Sequence, residues 1–360
     1  MTLVGIAGCT ALIYAGLALR SAINGIGKKQ FRDIKKVSME AYLQNETDSE
    51  ELKEIEEYIK SQNNVKEVTP VNQKTITVEG NDIEKDVFYI AIDGEKADKY
   101  IGLQERKSGE KIELNDDGVI ITEKLAGILD VKKDDKIRIT DEGINVSVKV
   151  IGITENYLYN YIYMTPKMYE RIFGTKIKYD SIFINIDENI SNNDETKLAD
   201  KLKEDDRIIS TLLEKNWEEE FLTSLNSLMS IVILFIGCAS LLSFTVLINL
   251  NNINIEERIR ELATIKVLGF YKKELESYVF RENIILTILG TILGLGIGMG
   301  ILKIIIQSAE VETIFLSKDI SIINLGIAAI ITLAFTLITN FLMKKKLKNI
   351  NMIDSLKSIE

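Results

Sequence analysis

Apolar and polar positions are unevenly divided along this chain. Residues 1–19, 225–250, 280–306 and 320–343 are almost free of charge, while residues 28–220 are rich in charged and polar side chains. Each apolar stretch approaches or exceeds the ~20 residues a helix needs to cross the hydrocarbon core of a bilayer. The pattern predicts a membrane protein of four transmembrane α-helices, with an α+β domain inserted between helices 1 and 2. The spans are placed at 1–23, 225–250, 280–306 and 320–343, and the domain at 24–213. A connecting stalk (214–224), loops over 251–279 and 307–319, and a basic tail (344–360) complete the chain.

Inside the domain, strand-like segments alternate with short amphipathic ones. Strands are predicted over 37–43, 65–77, 86–92, 119–122, 145–153, 162–165, 180–186 and 207–213, with one more after the Asp134-Asp135 turn. A helix over 50–61 starts near Asp48 or Ser49, and a second turns Leu125, Ile128 and Leu129 inward. A third opens at Pro166, with Thr165 as N-cap and Gly174 as its stop. Residues 187–196, DENISNNDET, read as a polar loop before a helix over 197–202. Trp217, Phe221, Ser224 and Leu225 share one helical face, which makes the stalk a rigid connection and sets Trp217 near the membrane boundary, where indole rings are favoured.

The third span carries Gly290, Gly294, Gly296, Gly298 and Gly300. The pairs Gly290/Gly294, Gly294/Gly298 and Gly296/Gly300 have the small-xxx-small spacing that lets another helix approach closely, because lipid offers no hydrophobic drive to association. Packing against the second or fourth span and packing against another chain both satisfy this pattern. Before it, Ile255, Ile259, Leu262 and Lys266 share a face of a short charged helix, Glu256 and Glu257 can pair with Arg260, and Gly269 is placed to end the helix. Apolar spans flank this helix on both sides, so it lies in a loop at the membrane surface.

At these residues the sequence resembles the FtsX-like permease family, which includes MacB-type transporters. The family pattern E-R-x-R-E-[IL]-A-x-[LI]-[KR]-x-[LI]-G stands here as Glu257-Arg258-Ile259-Arg260-Glu261-Leu262-Ala263-Thr264-Ile265-Lys266-Val267-Leu268-Gly269, followed by Glu282 at the start of a glycine-rich span. Residues 121–140 and the Met164-Thr165-Pro166 helix start resemble, more weakly, the extracytoplasmic domain of MacB-like permeases. The resemblance implies a coupling loop that docks on a separate ABC ATPase subunit. Glu257, Arg258, Arg260, Glu261 and Lys266 would contact that subunit, with Leu262 and Leu268 buried behind them and Gly269 closing the helix. It implies no cofactor on this chain, ATP and Mg in the partner ATPase, and a second permease half, either a homodimer mate or an upstream half. The implied activity is export or extraction of a substrate across the plasma membrane. An activator of an outer partner enzyme and a membrane-anchored sensor without an ATPase are the alternatives. The family usually has a basic segment before the first span, and the similarity is closest to the second half of two-unit permeases. A truncated start, a split gene or an excised half is therefore expected.

Charge sets the orientation. Arg20, Lys28, Lys29, Arg32, Lys35 and Lys36 at the end of the first span would by themselves place that end inside. They are outnumbered by Arg258, Arg260, Lys266, Lys272, Lys273 and Arg281 in the 251–281 region together with Lys344, Lys345, Lys346, Lys348 and Lys357 in the tail. The loop and tail are thus expected inside and the domain outside. Met1 to Leu19 lacks a basic leader and a small-residue cleavage site, so it reads as an anchor and not as a secretory signal.

The net charge of −10 argues against a nucleic-acid partner. The chain has no histidine, which removes His-dependent triads and the commonest zinc ligand. Its two cysteines, Cys9 and Cys238, both fall in spans. Gly25-Ile26-Gly27-Lys28-Lys29 is no ATP-binding loop, since residue 22 is Ala, residue 29 is Lys and a span precedes it instead of a strand. The acidic pairs Asp116/Asp117, Asp134/Asp135 and Asp141/Glu142 read as turns, and the 187–195 loop lacks the spacing of an EF-hand. The sequence predicts a non-catalytic membrane subunit.

Overall fold

The computed structural model describes residues 2–348 except 48, 142, 188, 258–260, 262–263, 266–267, 270, 310–313 and 316–321. The chain divides into two compact units. One comprises Gly25–Ser224 with Ile314 and Phe315, and the other holds the remaining helical residues.

The first unit is α+β. In chain order it contains β1 (Met39–Thr47), α2 (Ser49–Lys60), β2 (Val65–Gly80), β3 (Ile83–Ala91), α3 (Gly94–Tyr100), β4 (Val119–Thr122), α4 (Glu123–Leu129), β5 (Lys136–Asp141), β6 (Ile144–Thr154), β7 (Tyr161–Met164), α5 (Pro166–Phe173), β8 (Tyr179–Ile186), α6 (Asn192–Leu202) and β9 (Ile208–Leu213). Its strand order is β3-β7-β4-β6-β5-β2-β8-β1-β9, and β3 also pairs with β2. The long strand β2 serves two layers. Its first half, Val65 to Val71, pairs with β8, and its second half, Asn72 to Gly80, pairs with β3 and β5. The strands β2-β3-β7-β4-β6-β5 therefore close on themselves. The other four run β9-β1-β8-β2, all antiparallel, with α2 joining β1 to β2 and α6 joining β8 to β9. This is the split β-α-β arrangement of ferredoxin-like sheets, with the closed strands inserted between its two halves.

Local chemistry explains the elements. Asn81 and Asp82 both have positive φ (47° and 62°), the two-residue turn whose twist suits a tight hairpin between β2 and β3. Thr165 Oγ1 accepts the Met168 N–H at 3.1 Å, Pro166 occupies the first turn, and Gly174 ends α5 at φ 69°. Helix α6 starts at Asn192, earlier than expected, because Ser191 Oγ accepts the Asp194 N–H and caps it. Much of the predicted polar loop is thus helix. Helix α3, which the sequence pattern did not reveal, is capped by Asp93 and is short and highly charged. Ile55, Ile59, Leu198 and Leu202 of α2 and α6 are buried on the four-stranded sheet, each worth ~1.5–3 kcal/mol relative to exposure. Leu125, Leu129, Ile139, Val150 and Met164 fill the closed strands. Ala126 is buried beside Leu125, whereas Ile128 is only half-buried.

The second unit is formed by helices α1 (Thr2–Lys28), α7 (Glu214–Glu257), α8 (Lys272–Ala309) and α9 (Ile322–Lys348). Each is long and apolar enough to cross a membrane. The first eleven residues of α7 belong to the α+β unit and carry Glu214, Lys215, Glu218, Glu219 and Glu220, so the apolar span proper begins at Leu225. This unit reverses the usual pattern of burial. Thr10, Asn283, Thr287, Asn324 and Thr332 are buried, while Leu234, Phe235, Ile292, Ile304 and Phe341 are exposed. An apolar surface of this extent calls for lipid or another span.

Gly290, Gly294 and Gly298 all face α1. A Cβ on Gly294 would lie 2.5 Å from the Ala7 carbonyl oxygen and 2.7 Å from Thr10 Cβ, and one on Gly298 would lie 3.0 Å from the Ala11 oxygen. A Cβ on Gly290 would lie 2.8 Å from Ile6 Cγ2. The partner is thus the first span, not the second or fourth. Gly296 and Gly300 differ: a Cβ at either meets nothing within 4 Å. Gly294→Ala is expected to force α1 and α8 apart and lower stability by about 1–3 kcal/mol. Gly296→Ala is expected to be neutral or to stabilise by up to about 1 kcal/mol through helix propensity. Thermal unfolding of the two variants in detergent measures the difference.

Candidate functional site at the base of the domain and the α7–α8 loop

The base of the α+β unit gathers three segments on the loop between β6 and β7. Two of them are the end of α1 and the start of α7; the third is Ile314-Phe315. After α1 the chain makes a wider π-helical turn, Lys29–Ile34, closed by the Lys35 N–H donating to the Gln30 carbonyl at 2.8 Å. Such turns aim neighbouring side chains in directions an α-helix does not. Lys29 donates to Glu155 at 2.7 Å, Gln30 donates to Asn156 at 3.0 Å, and the Tyr157 N–H donates to Gln30 Oε1 at 2.9 Å. Phe31 packs edge-on against Trp217 at 5.0 Å and tilts on Phe221 at 5.7 Å. Trp217 is therefore a packing residue of the domain, stacked also on Tyr159 at 6.5 Å. Tyr159 has φ 58°, rare for an aromatic residue, and Asn156 Nδ2 donates to its carbonyl at 3.0 Å. On the other side of the loop, the Phe315 N–H donates to the Tyr157 carbonyl at 2.9 Å, and Lys124 donates to the Ile314 carbonyl at 2.8 Å.

Three buried carboxylates, in two clusters, hold the base. Burial opposes ionisation of Glu155, but donation from Lys29, Tyr157 and Gln104 outweighs it and holds the carboxyl below the usual range. Lys35 lies between Glu40, at 2.6 Å, and Glu214, the first residue of α7, and its ammonium sits 5.4 Å over the Trp217 ring. Glu40 also accepts from Tyr42 and Gln73. Burial resists charging of Lys35, yet the two carboxylates raise its pKa above the ordinary value.

Of the residues expected on an ATPase, Glu257, Glu261, Leu268 and Gly269 are described; Arg258, Arg260, Leu262 and Lys266 lie outside the described residues. Glu257 ends α7, and both it and Glu261 are exposed. Leu268 was expected to be buried and is 73% exposed. The cause is local. The Leu268 N–H closes a turn on the Thr264 carbonyl at 3.0 Å, and Gly269 follows it with φ 96°, the left-handed conformation that ends a helical turn. Tyr271 beside it is 79% exposed, and its N–H donates to Glu274 Oε2 at the start of α8.

Residues 233–352 match the FtsX-like permease C-terminal family. Over these residues the chain is similar to that family. The matched residues take in most of α7, the loop, α8 and α9. No curated protein matches the chain. The solved periplasmic region of MacB from Actinobacillus actinomycetemcomitans is similar at 12% identity and TM-score 0.36, covering 52% of this chain and 94% of that one. The extracellular domain of the noncanonic ABC-type transporter YknZ from Gram-positive bacteria is similar at 17% identity and TM-score 0.33, covering 48% and 98%.

The permease region holds one feature that the sequence reading passed over. Asn324, Thr332, Thr336 and Asn340 recur on one face of α9 at multiples of four. Asn324 donates to Ser21 at 2.9 Å and Thr332 meets Thr10 at 3.1 Å, both on α1. Thr336 meets Thr287, and Asn340 accepts from Asn283, each at 3.2 Å on α8. The four-residue spacing is the signal in the sequence, and it is obscured because threonine is common in spans. Among the described residues no group of histidine, cysteine, aspartate or glutamate side chains is arranged to hold a metal.

The Glu155 network yields a prediction with a definite sign. A carboxyl with a lowered folded pKa contributes stability above its ordinary value of 4.5, lost as pH falls through the folded value. Glu155→Leu is expected to cost about 1–3 kcal/mol at neutral pH, by leaving buried donors without an acceptor. It is also expected to flatten the fall in stability below pH 4.5, as read by chemical denaturation across acid pH.

Proposed function

We propose that this chain is the membrane subunit of an ABC-type transporter, coupling ATP hydrolysis on a separate subunit to movement of its α+β domain on the outer side of the membrane. The FtsX-like match over 233–352, which contains the charged 257–269 pattern, carries the reading. Glu257, Arg258, Arg260, Glu261 and Lys266 are its charged contacts. The exposed Leu268 and Tyr271 add an apolar tip to the same surface, in place of a residue buried behind it. A loop that mixes both charge signs with two exposed apolar side chains is suited to a protein groove, where rim charges select the partner and apolar groups anchor.

The mechanics follow from α7, one helix of 44 residues running from Glu214 to Glu257. At about 1.5 Å per residue it is a rod roughly 65 Å long. Its first turns are fixed in the base through Glu214, Trp217 and Phe221, and its last residue begins the loop. Helix α7 thus joins the loop to the residues of the base as one continuous helix, the element through which a push on the loop would have to pass. The permease itself performs no chemistry in this scheme; ATP and Mg reside in the partner, and a second permease half completes the unit.

Export of a substrate and activation of an outer enzyme use the same motor. The partners recovered with the tagged chain from its native membrane, in the presence of an ATP analogue, decide between them. Arg258→Glu with Arg260→Glu is expected to abolish recovery of the ATPase while membrane insertion persists. Undiminished recovery would remove the coupling assignment, and a wild-type preparation without any ATPase would favour a sensor.

A further inference from the structure

Lys35, Glu40 and Glu214 make a buried cluster in which one ammonium faces two carboxylates. Glu40 is 2% exposed and Glu214 is 5% exposed. The other titratable groups facing the cluster are phenols, Tyr42 on β1, Tyr161 on β7 and Tyr159 in the preceding loop. Burial, with the carboxylates beside them, pushes the Tyr42 and Tyr161 hydroxyls up, so both stay neutral and Lys35 is the cation that offsets the two carboxylates. With both carboxylates ionised the cluster carries an unbalanced negative charge away from water, and such a charge is relieved most readily by a proton. The two carboxylates are not equivalent. Glu40 accepts hydrogen bonds from the neutral donors Tyr42 at 2.6 Å and Gln73 at 3.2 Å as well as pairing with Lys35, whereas Glu214 has Lys35 against one oxygen and no neutral donor among the described residues. The proton therefore belongs on Glu214.

Position gives this chemistry a consequence. Lys35 follows directly on the π-helical turn after α1, and Glu214 is the first residue of α7, whose N–H also donates to the Ser38 carbonyl at 3.1 Å. We propose that the three residues form a proton-sensitive joint, in which uptake of one proton from solvent by the Glu214 carboxylate releases the start of α7 from its charge tie to Lys35. The unprotonated joint holds α7 through Lys35; in the protonated joint Lys35 pairs with Glu40 alone. Burial pushes the Glu214 pKa up to about 7, with Glu40 adding to it and Lys35 opposing it. A raised carboxyl lowers stability as pH climbs from its ordinary 4.5 through the folded value, so the tie to Lys35 offsets only part of the cost of ionising Glu214.

The test needs neither an ATPase nor a substrate. Trp217 is the chain's one tryptophan and lies under the Lys35 ammonium, so its emission reports the charge state of the cluster. The full chain in lipid nanodiscs is titrated from about pH 5 to about pH 9. A single transition with a midpoint near about 7 is expected. It should vanish in Glu214→Gln and move to lower pH in Glu40→Gln, which removes the neighbouring like charge. A flat wild-type profile, or a transition unchanged in Glu214→Gln, overturns the proposal. Should Glu214→Gln fail to fold, Glu40→Gln alone decides: a downward shift supports the joint, and an unchanged or raised midpoint rejects it.

Discussion

A bilayer gives two apolar helices no reason to prefer each other over lipid, so everything in the helical unit depends on how closely α1 and α8 approach. That approach is made possible by three absent side chains. At Gly290, Gly294 and Gly298 the backbone of α8 lies against Ile6, Ala7, Thr10, Ala11 and Tyr14, close enough that a methyl group at Gly294 would overlap a carbonyl. Around this contact α1 collects the other helices. Gly5 and Gly16 receive Leu250 and Ile236 of α7, and Thr10 and Ser21 reach Thr332 and Asn324 of α9. Once dispersion has been gained by proximity, hydrogen bonds between hydroxyls and amides set the register.

The α+β unit answers a different constraint. Its base has to hold segments that continue into spans, and it does so with ionised groups taken out of water. Lys29 and Lys35 would be poor choices on a free surface, where exposed pairs are worth ~0–1 kcal/mol. Here their carboxylate partners Glu155, Glu40 and Glu214 are buried, so removal of one member leaves an uncompensated charge. The π-helical turn makes the arrangement possible by sending Lys29, Gln30 and Phe31 to separate partners within three residues.

Much of this was legible in the sequence where one residue type has one dominant use. Long uncharged stretches gave the spans, Thr165-Pro166 with Gly174 gave α5, and the 257–269 pattern led to the permease region. What the chain hid is equally physical. Helix α3 is too short and too charged to show a period, and α6 begins with an asparagine pair that favours turns until Ser191 caps it. Basic residues after the first span conflicted with the rest of the charge count because Lys29 and Lys35 are internal ion-pair partners, which no count of loop charge can distinguish. The resemblance places Leu268 behind the charged contacts, whereas it is exposed next to the positive-φ Gly269. The α9 polar face was invisible because it is built from threonines, whose hydroxyls also bond their own helix, as Thr332 and Thr336 do.

Polar groups are buried differently in the two units, and the dielectric explains why. Buried polar groups within the spans are threonine, serine and asparagine, which tolerate a low dielectric when paired and do not change charge near neutral pH. The buried ionised groups described above lie at the base of the α+β unit, where hydrogen bonds and counter-charges are available. Neutral pairs can fix register but cannot be switched by a proton or by a partner's charge. Helix α7 begins at the buried charge cluster of the base and ends where the charged loop starts.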